Sequence, residues 1–335
     1  MTQTPRYPQA HLTELIERCE ADALSGESLS FDDALALAEA PAEIVPAIID
    51  AADRIRARFC GNSVDLCAIV SARTGGCSED CSFCVQSRNA NAHLEITPMM
   101  PPTAILETAR KAAEQGAHRF CIVTSGKALS DADFESVLEA LALIGAEIGV
   151  ARCASLGLLT AQRARSLAEA GLTRYHHNLE TCRSFFSTLC TTHSYDDRVA
   201  TVRAVRSAGL QVCCGGILNV GETLRQRVEL AFELAGLAPD SVPVNFLDPR
   251  PGTALEDRPP IGSLEAAHYV ALLRFVMPTT SIRLAGGRRT TFGCEPGLAL
   301  RGGASAMLIG DLLTTSGPDA AADIAMVRSI GLDPG

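Results

Sequence analysis

Apolar residues in the first 60 positions recur at helical spacing, as in Leu12, Leu15 and Ile16 and again in Ala34, Leu35, Leu37 and Ala38. This predicts a helical lead-in. From about residue 64 the pattern changes: short apolar runs alternate with longer amphipathic stretches, as in βαβ units built on a parallel sheet. The runs predict eight strands, at 64–72, 118–125, 147–155, 174–179, 211–218, 242–247, 281–285 and 304–309. Helices are predicted between them at 102–115, 131–144, 160–170, 195–208, 223–236 and 263–276. Three of these end in Glu-Gln-Gly, Glu-Ala-Gly or Ser-Ala-Gly, with glycine where the chain leaves the last turn left-handed. Eight strand-helix repeats predict a (βα)8 barrel. An open doubly wound sheet would carry a glycine-rich phosphate turn after its first strand, whereas Gly75 and Gly76 lead into cysteines. The expected fold is α/β: a TIM-type (βα)8 barrel over 61–335, preceded by an N-terminal helical extension over 1–60.

Composition narrows the chemistry. With 335 residues, 47% of them hydrophobic, the chain can fill one large barrel or two ordinary domains, and no linker or repeat marks a second domain. Net charge is -10 without any basic block, which argues against a sequence-independent grip on nucleic acid or an anionic membrane. Small molecules and proteins are the expected partners. A basic segment followed by an apolar one is missing near the N-terminus, and no stretch of about 18 apolar residues occurs. A cytoplasmic protein is expected. Thirteen cysteines, an odd number, are many for such a chain; in a reducing cytoplasm they point to metal or redox chemistry rather than disulfides. Cys19, Cys60, Cys67 and Cys182 read as ordinary buried thiols.

Directly after the first predicted strand comes C-S-E-D-C-S-F-C, with Cys77, Cys81 and Cys84 at x3 and x2 spacing. Thiolates are the usual ligands of iron-sulfur clusters, and three of them around a four-iron cube leave one iron open. That iron can chelate the amino and carboxylate groups of S-adenosylmethionine and pass an electron to its sulfonium. Structural zinc would want a fourth ligand, often from a second C-x2-C pair, and none has suitable spacing. The spacing, Phe83 before the last cysteine and the position after the first strand resemble the radical S-adenosylmethionine superfamily.

Alternate residues of a barrel strand point inward, so Cys121, Cys153, Cys213 and Arg283, on four different predicted strands, can converge on one buried volume. Cys214 then faces the other way. Together the three thiols suggest a second iron-sulfur cluster, although each alone reads as a core residue. Further motifs follow in order: R-F-C at Cys121, C-A-S-L-G at Cys153, H-H-N-L-E-T at Asn178, V-C-C-G-G-I at Cys213, S-V-P-V-N at Asn245, P-G-T at Gly252, I-R-L-A-G-G-R at Arg283 and a late L-T-T. Through them the chain resembles the biotin synthase family over nearly all of residues 45–335.

The resemblance implies a [4Fe-4S] cluster on Cys77, Cys81 and Cys84, and an auxiliary cluster, [2Fe-2S] or a larger variant, on Cys121, Cys153, Cys213 and Arg283. Arginine is an unusual iron ligand because its guanidinium stays protonated. Three details depart from the best-known form: I-V-T-S-G after Cys121, His176 where asparagine is common, and Cys190 before Thr191-Thr192-His193. They resemble a branch associated with anaerobes and make Cys190 an alternative auxiliary ligand.

For S-adenosylmethionine the resemblance assigns Glu180 to the ribose hydroxyls and Arg198 to the carboxylate through a bidentate fork. It assigns Asn178 and Asn245 to the cyclic urea of dethiobiotin and the neighbouring ribose, and Gly215-Gly216 offers close backbone approach to a ligand. The implied reaction is radical insertion of sulfur from the auxiliary cluster into dethiobiotin, in two rounds of S-adenosylmethionine cleavage. Reduced flavodoxin or a ferredoxin-type protein is the implied electron donor, and a homodimer the implied assembly. The rivals are another radical enzyme, of the hydrogenase-maturase or methylornithine-synthase type, and an iron-sulfur carrier without turnover.

Overall fold

The lead-in forms three helices, α1 (Gln9–Ser25), α2 (Phe31–Ala38) and α3 (Val45–Cys60), in a computed structural model that describes residues 8–293, 295–311, 313 and 319–335. Ser30 starts α2 as an N-cap, its hydroxyl accepting the Asp33 amide at 3.1 Å. The apolar stripe of α3, with Ile48, Ala51, Ala52 and Ile55 fully buried, packs against α10 (Ser263–Val276) of the barrel's outer ring. Arg274 on α10 is wholly buried. It donates to the carbonyls of Gly303, Pro278 and Thr280 at 2.8–2.9 Å, which satisfies a charge that would otherwise be costly to bury.

The barrel strands are β1 (Asp65–Arg73), β2 (Arg119–Thr124), β3 (Ala151–Ser155), β4 (Arg174–His176), β5 (Gln211–Cys213), β6 (Gly216–Leu218), β7 (Ser241–Phe246), β8 (Ser281–Leu284) and β9 (Ala306–Leu308). All pair in parallel in the order β5-β4-β3-β2-β1-β9-β8-β7-β6, and β5 also pairs with β7 through Cys213 and Ser241. The sheet is thereby closed. Strands β5 and β6 share one of eight positions, because the predicted strand 211–218 breaks at Cys214 and Gly215. The physical reason is crowding: a Cβ on Gly215 would lie 1.9 Å from the Pro243 carbonyl oxygen, and one on Gly216 2.6 Å from that of Glu180.

The helices α4 (Pro102–Glu114), α5 (Asp131–Glu147), α6 (Ala161–Glu169), α8 (Tyr195–Ser207) and α9 (Leu224–Leu237) fall where they were expected. Capping hydroxyls from Ser130, Thr160, Ser194 and Thr223 start the last four, and Gly116, Gly171 and Gly209 leave α4, α6 and α8 at positive φ. Several strand boundaries differ: the fourth strand ends at His176 rather than 179, and the last spans Ala306–Leu308 rather than 304–309. The third strand begins at Ala151 rather than 147, because α5 continues to Glu147. Four short helices were not predicted: α7 (Arg183–Leu189), α11 (Arg288–Phe292), α12 (Leu298–Arg301) and α13 (Ala320–Ser329). Among the described residues no helix is long and apolar enough to cross a membrane.

Candidate active site

One cavity of about 450 Å³ runs down the barrel interior. Its lining includes Cys77, Cys81 and Cys84, together with Cys121, Cys153, Cys213 and Arg283. The first set sits on the loop that follows β1. Hydrogen bonds pin that loop: Gln86 Oε1 accepts the Gly75 amide at 2.8 Å, Ser125 donates to the Gly75 carbonyl at 2.6 Å, and Arg88 N donates to the Glu79 carbonyl at 2.9 Å. The three loop thiols do not form a mononuclear site: among the described residues, the His, Cys, Asp and Glu ligand atoms that gather within 4.8 Å of one another belong to Glu79, Cys190 and His193. A zinc ion with Zn–S bonds of about 2.3 Å needs its sulfurs closer than the loop holds them. A polynuclear cluster suits the wider spacing. The described cysteines are all free of disulfides.

Deeper in the barrel, strand register brings the second set together. Cys121 lies opposite Cys153 across β2 and β3, and Cys213 lies opposite His176 across β4 and β5. Cys67 joins them: it is buried, packs with Cys121 and Cys153, and lines the same cavity. Cys67 is thus a buried thiol, as expected, but in the cluster that lines the cavity, whereas Cys19 and Cys182 lie in the general core. Alternation along β1, which puts Cys67 and Ile69 on one face, was the signal that could have found it. Cys214 is buried in the outer core and does not line the cavity.

The strands that carry these thiols also assemble a group that sequence reasoning missed. Asp65 is 2.6 Å from Arg283 Nη2, 2.9 Å from Arg119 Nε and 3.9 Å from Arg174 Nη1. Three guanidiniums therefore share one carboxylate. Burial acts to raise the Asp65 pKa, but Arg283 and Arg119 hold it below the usual carboxylate range. Burial likewise opposes ionisation of Cys213, yet His176, with Nδ1 3.4 Å from the sulfur, and Arg283 bring that thiol down to about 7. Arg283 Nε and Nη1, Arg174 Nη1 and His177 Nε2 are buried without a hydrogen-bond partner. The unpartnered Arg283 nitrogens, in a cavity also lined by Arg119, Arg174 and several thiols, fit an anionic sulfide-bearing group.

Polar residues occupy the middle of the cavity. Glu180 stands at φ 70° and bridges to Gly216. It is ion-paired with Arg198 at 3.3 Å. Arg198 Nε donates to His193 Nε2 at 3.0 Å and Nη1 to the Asn178 carbonyl at 2.9 Å; with these nitrogens committed, the expected bidentate fork to a ligand is not preformed. His193 in turn bonds Glu79 through Nδ1. Asn178 accepts the Gly215 amide at 3.1 Å and donates to Glu180 at 3.2 Å. Asn245 accepts the Gly286 amide at 2.9 Å and donates to the Gly216 carbonyl at 3.1 Å. A Cβ at Gly215 or Gly216 would meet the backbone of Pro243 or Glu180, so their bareness serves this close backbone packing.

Cys190 is likewise not brought to the Cys121 chamber. Its sulfur lies 3.2 Å from Asp80 Oδ1 and 3.3 Å from His193 Nδ1, beside the first cysteine loop. A hydrogen bond with Cys81 draws the Cys190 thiol down to about 4 and pushes Cys81 far up. Thr314 and Thr315 of the L-T-T motif lie outside the described residues.

A closed parallel barrel with three loop thiols at its first strand and a ligand-sized interior defines a radical S-adenosylmethionine enzyme, and residues 72–234 match the Radical SAM superfamily. Residues 243–333 match the Biotin and Thiamin Synthesis associated domain. Solved structures agree on the fold: methylornithine synthase superposes with a TM-score of 0.82 at 20% identity, over 95% of this chain and 97% of that one. The hydrogenase maturase HydG from Carboxydothermus hydrogenoformans gives 0.82 at 18% identity, over 97% and 80%. The curated relatives are far nearer in sequence. Biotin synthase of Desulforudis audaxviator is 46% identical over 92% of this chain and 94% of its own length, and that of Heliobacterium modesticaldum 45% over 96% and 99%. The chain belongs to the biotin synthase family.

Proposed function

We propose that this chain forms biotin from dethiobiotin by radical insertion of sulfur, with Cys77, Cys81 and Cys84 holding a [4Fe-4S] cluster and Cys121, Cys153 and Cys213, beside Arg283, holding an auxiliary iron-sulfur cluster. The observation that carries the reading is the single cavity lined by both thiol sets. When bound, the first cluster supplies the electron that cleaves S-adenosylmethionine to a 5′-deoxyadenosyl radical, and the auxiliary cluster supplies sulfur.

The chain's own groups bind, orient and exclude water. Glu180 accepts from the ribose hydroxyls and Arg198 holds the amino acid end, steadied by His193 and Glu79. Asn178 and Asn245 each spend one donor and one acceptor on the protein. An amide has one more of each to give, which complements a cyclic urea. The apolar walls, among them Ile69, Val123 and Leu308, keep the chamber dry, and a primary radical in a dry chamber has few C–H bonds within reach.

Residues 61–335 are assigned to the catalytic barrel and 1–60 to an extension that covers it. A cytoplasmic homodimer drawing electrons from reduced flavodoxin or a ferredoxin-type donor follows the family resemblance. The test is anaerobic reconstitution with iron and sulfide, followed by incubation with reductant, S-adenosylmethionine and dethiobiotin. The expected products are 5′-deoxyadenosine and biotin together. 5′-Deoxyadenosine without biotin would point to a different radical enzyme, and neither product to an iron-sulfur carrier.

A further inference from the structure

We propose that Arg250, in the loop after β7, binds the carboxylate at the far end of dethiobiotin's aliphatic chain and so selects the acid over neutral analogues. The inference rests on the reading above that dethiobiotin is the substrate.

The shape of the substrate sets the need. Its methylenes suit apolar walls, and Phe83, Ile217 and Leu247 line the cavity and pack in one group. A carboxylate carried in beside them without a partner would be costly. Most cations that line the cavity are already committed. Arg119, Arg174 and Arg283 gather on Asp65, Arg198 pairs with Glu180 and donates to His193, and Lys127 Nζ donates to the Thr192 carbonyl at 2.8 Å. Arg250 also lines the cavity. Its Nε lies 3.2 Å from Asp248 Oδ2, and among the described residues its two terminal nitrogens have no hydrogen-bond partner.

The loop holds that guanidinium firmly. Pro249 and Pro251 flank Arg250 and fix φ on either side of it. Thr253 returns to the Arg250 carbonyl with its amide at 3.2 Å and its hydroxyl at 2.8 Å. Gly252, at φ 82°, donates to Glu256 at 2.7 Å and accepts the Asn91 amide at 2.8 Å. It lies so close to the loop after the first cysteines that a Cβ there would sit 2.3 Å from the Asn91 carbonyl oxygen. A side chain presented from so constrained a backbone gives up less freedom on binding. With Asp248 on the Nε side, the edge formed by Nη1 and Nη2 is left for a bidentate carboxylate. Asn245 stands five residues before Arg250, so one continuous segment carries a partner for the urea and a partner for the acid.

The test measures binding without turnover. Protein reconstituted anaerobically with iron and sulfide is dialysed to equilibrium against labelled dethiobiotin, or against its methyl ester, with S-adenosylmethionine present and reductant left out. The parent should bind the acid about tenfold more tightly than the ester, and Arg250→Gln should lose that preference and bind both as the parent binds the ester. Arg250→Lys keeps the charge without the fork and should fall between the two. Lys127→Gln should keep the parent's preference. S-adenosylmethionine alone, whose own carboxylate is the competing partner for Arg250, should bind the parent and Arg250→Gln within about twofold of each other. Acid and ester are compared on the same protein, so a general loss of folding weakens both and does not imitate the result. A parent that binds acid and ester equally, an Arg250→Gln protein that still prefers the acid, a preference lost in Lys127→Gln instead, or a loss confined to S-adenosylmethionine overturns the proposal. If the parent binds neither acid nor ester, the reading of dethiobiotin as substrate fails, an outcome distinct from failure of the Arg250 assignment.

Discussion

His176 and Cys213 face each other across neighbouring strands at 3.4 Å, deep enough that neither would ionise alone. Burial lowers the basicity of the imidazole, yet the Cys213 charge raises its pKa overall, and the thiol comes down to about 7. In the apo chain, alkylation of Cys213 followed by peptide mass spectrometry should therefore have a pH midpoint near 7. His176→Gln should move that midpoint upward, since the imidazolium partner is gone and the burial penalty remains. An unchanged midpoint would show that the arginines alone ionise the thiol. At this scale alternation along strands made Cys121, Cys153 and Cys213 legible, because inward direction is a local property of a strand. What alternation cannot give is where a loop residue lands. Cys190 reads as a chamber ligand in sequence but sits beside Asp80 and His193, and Arg198 spends two nitrogens on partners five and twenty residues away.

Among the elements, the strand position shared by β5 and β6 is the most demanding. Gly215→Ala would drive a Cβ into the Pro243 carbonyl oxygen at 1.9 Å, a backbone atom that cannot swing away. The cost should be about 3 kcal/mol or more, read as a large drop in melting temperature or loss of soluble protein. A substitution that leaves melting unchanged would mean that the two strands slide past each other freely. The break itself was not legible: V-C-C-G-G-I-L reads as one apolar run, and its interruption depends on how closely β7 approaches. Helices were read far better. Their starts are set by capping hydroxyls such as Ser194 and Thr223 and their ends by glycine, all local chemistry. The short helices α7, α11 and α12 escaped because seven residues or fewer do not complete an apolar stripe.

Across the whole molecule the Asp65 carboxylate ties β1 to β2, β4 and β8 through three arginines. Its pKa is depressed in the folded chain, so it stabilises the fold above the unfolded carboxylate pKa of about 3.9, and that contribution fades as pH falls through the folded value. Asp65→Asn should lower the melting temperature of the apo chain at neutral pH, with the gap to the parent narrowing below about pH 4. A gap that widens on acidification would contradict the assignment. This ion cluster was invisible in sequence because its four members lie on strands up to 218 residues apart. The closure of the barrel has a consequence of its own. Strand β5 meets β7 through a single register pair, Cys213 and Ser241, whereas β1 and β2 are zipped along six. The cylinder is thus joined thinly beside Cys213, one of the thiols that line the cavity. Were the wall to open for loading of a sulfide-bearing centre, the place where it parts with least disruption adjoins the thiols that would hold it.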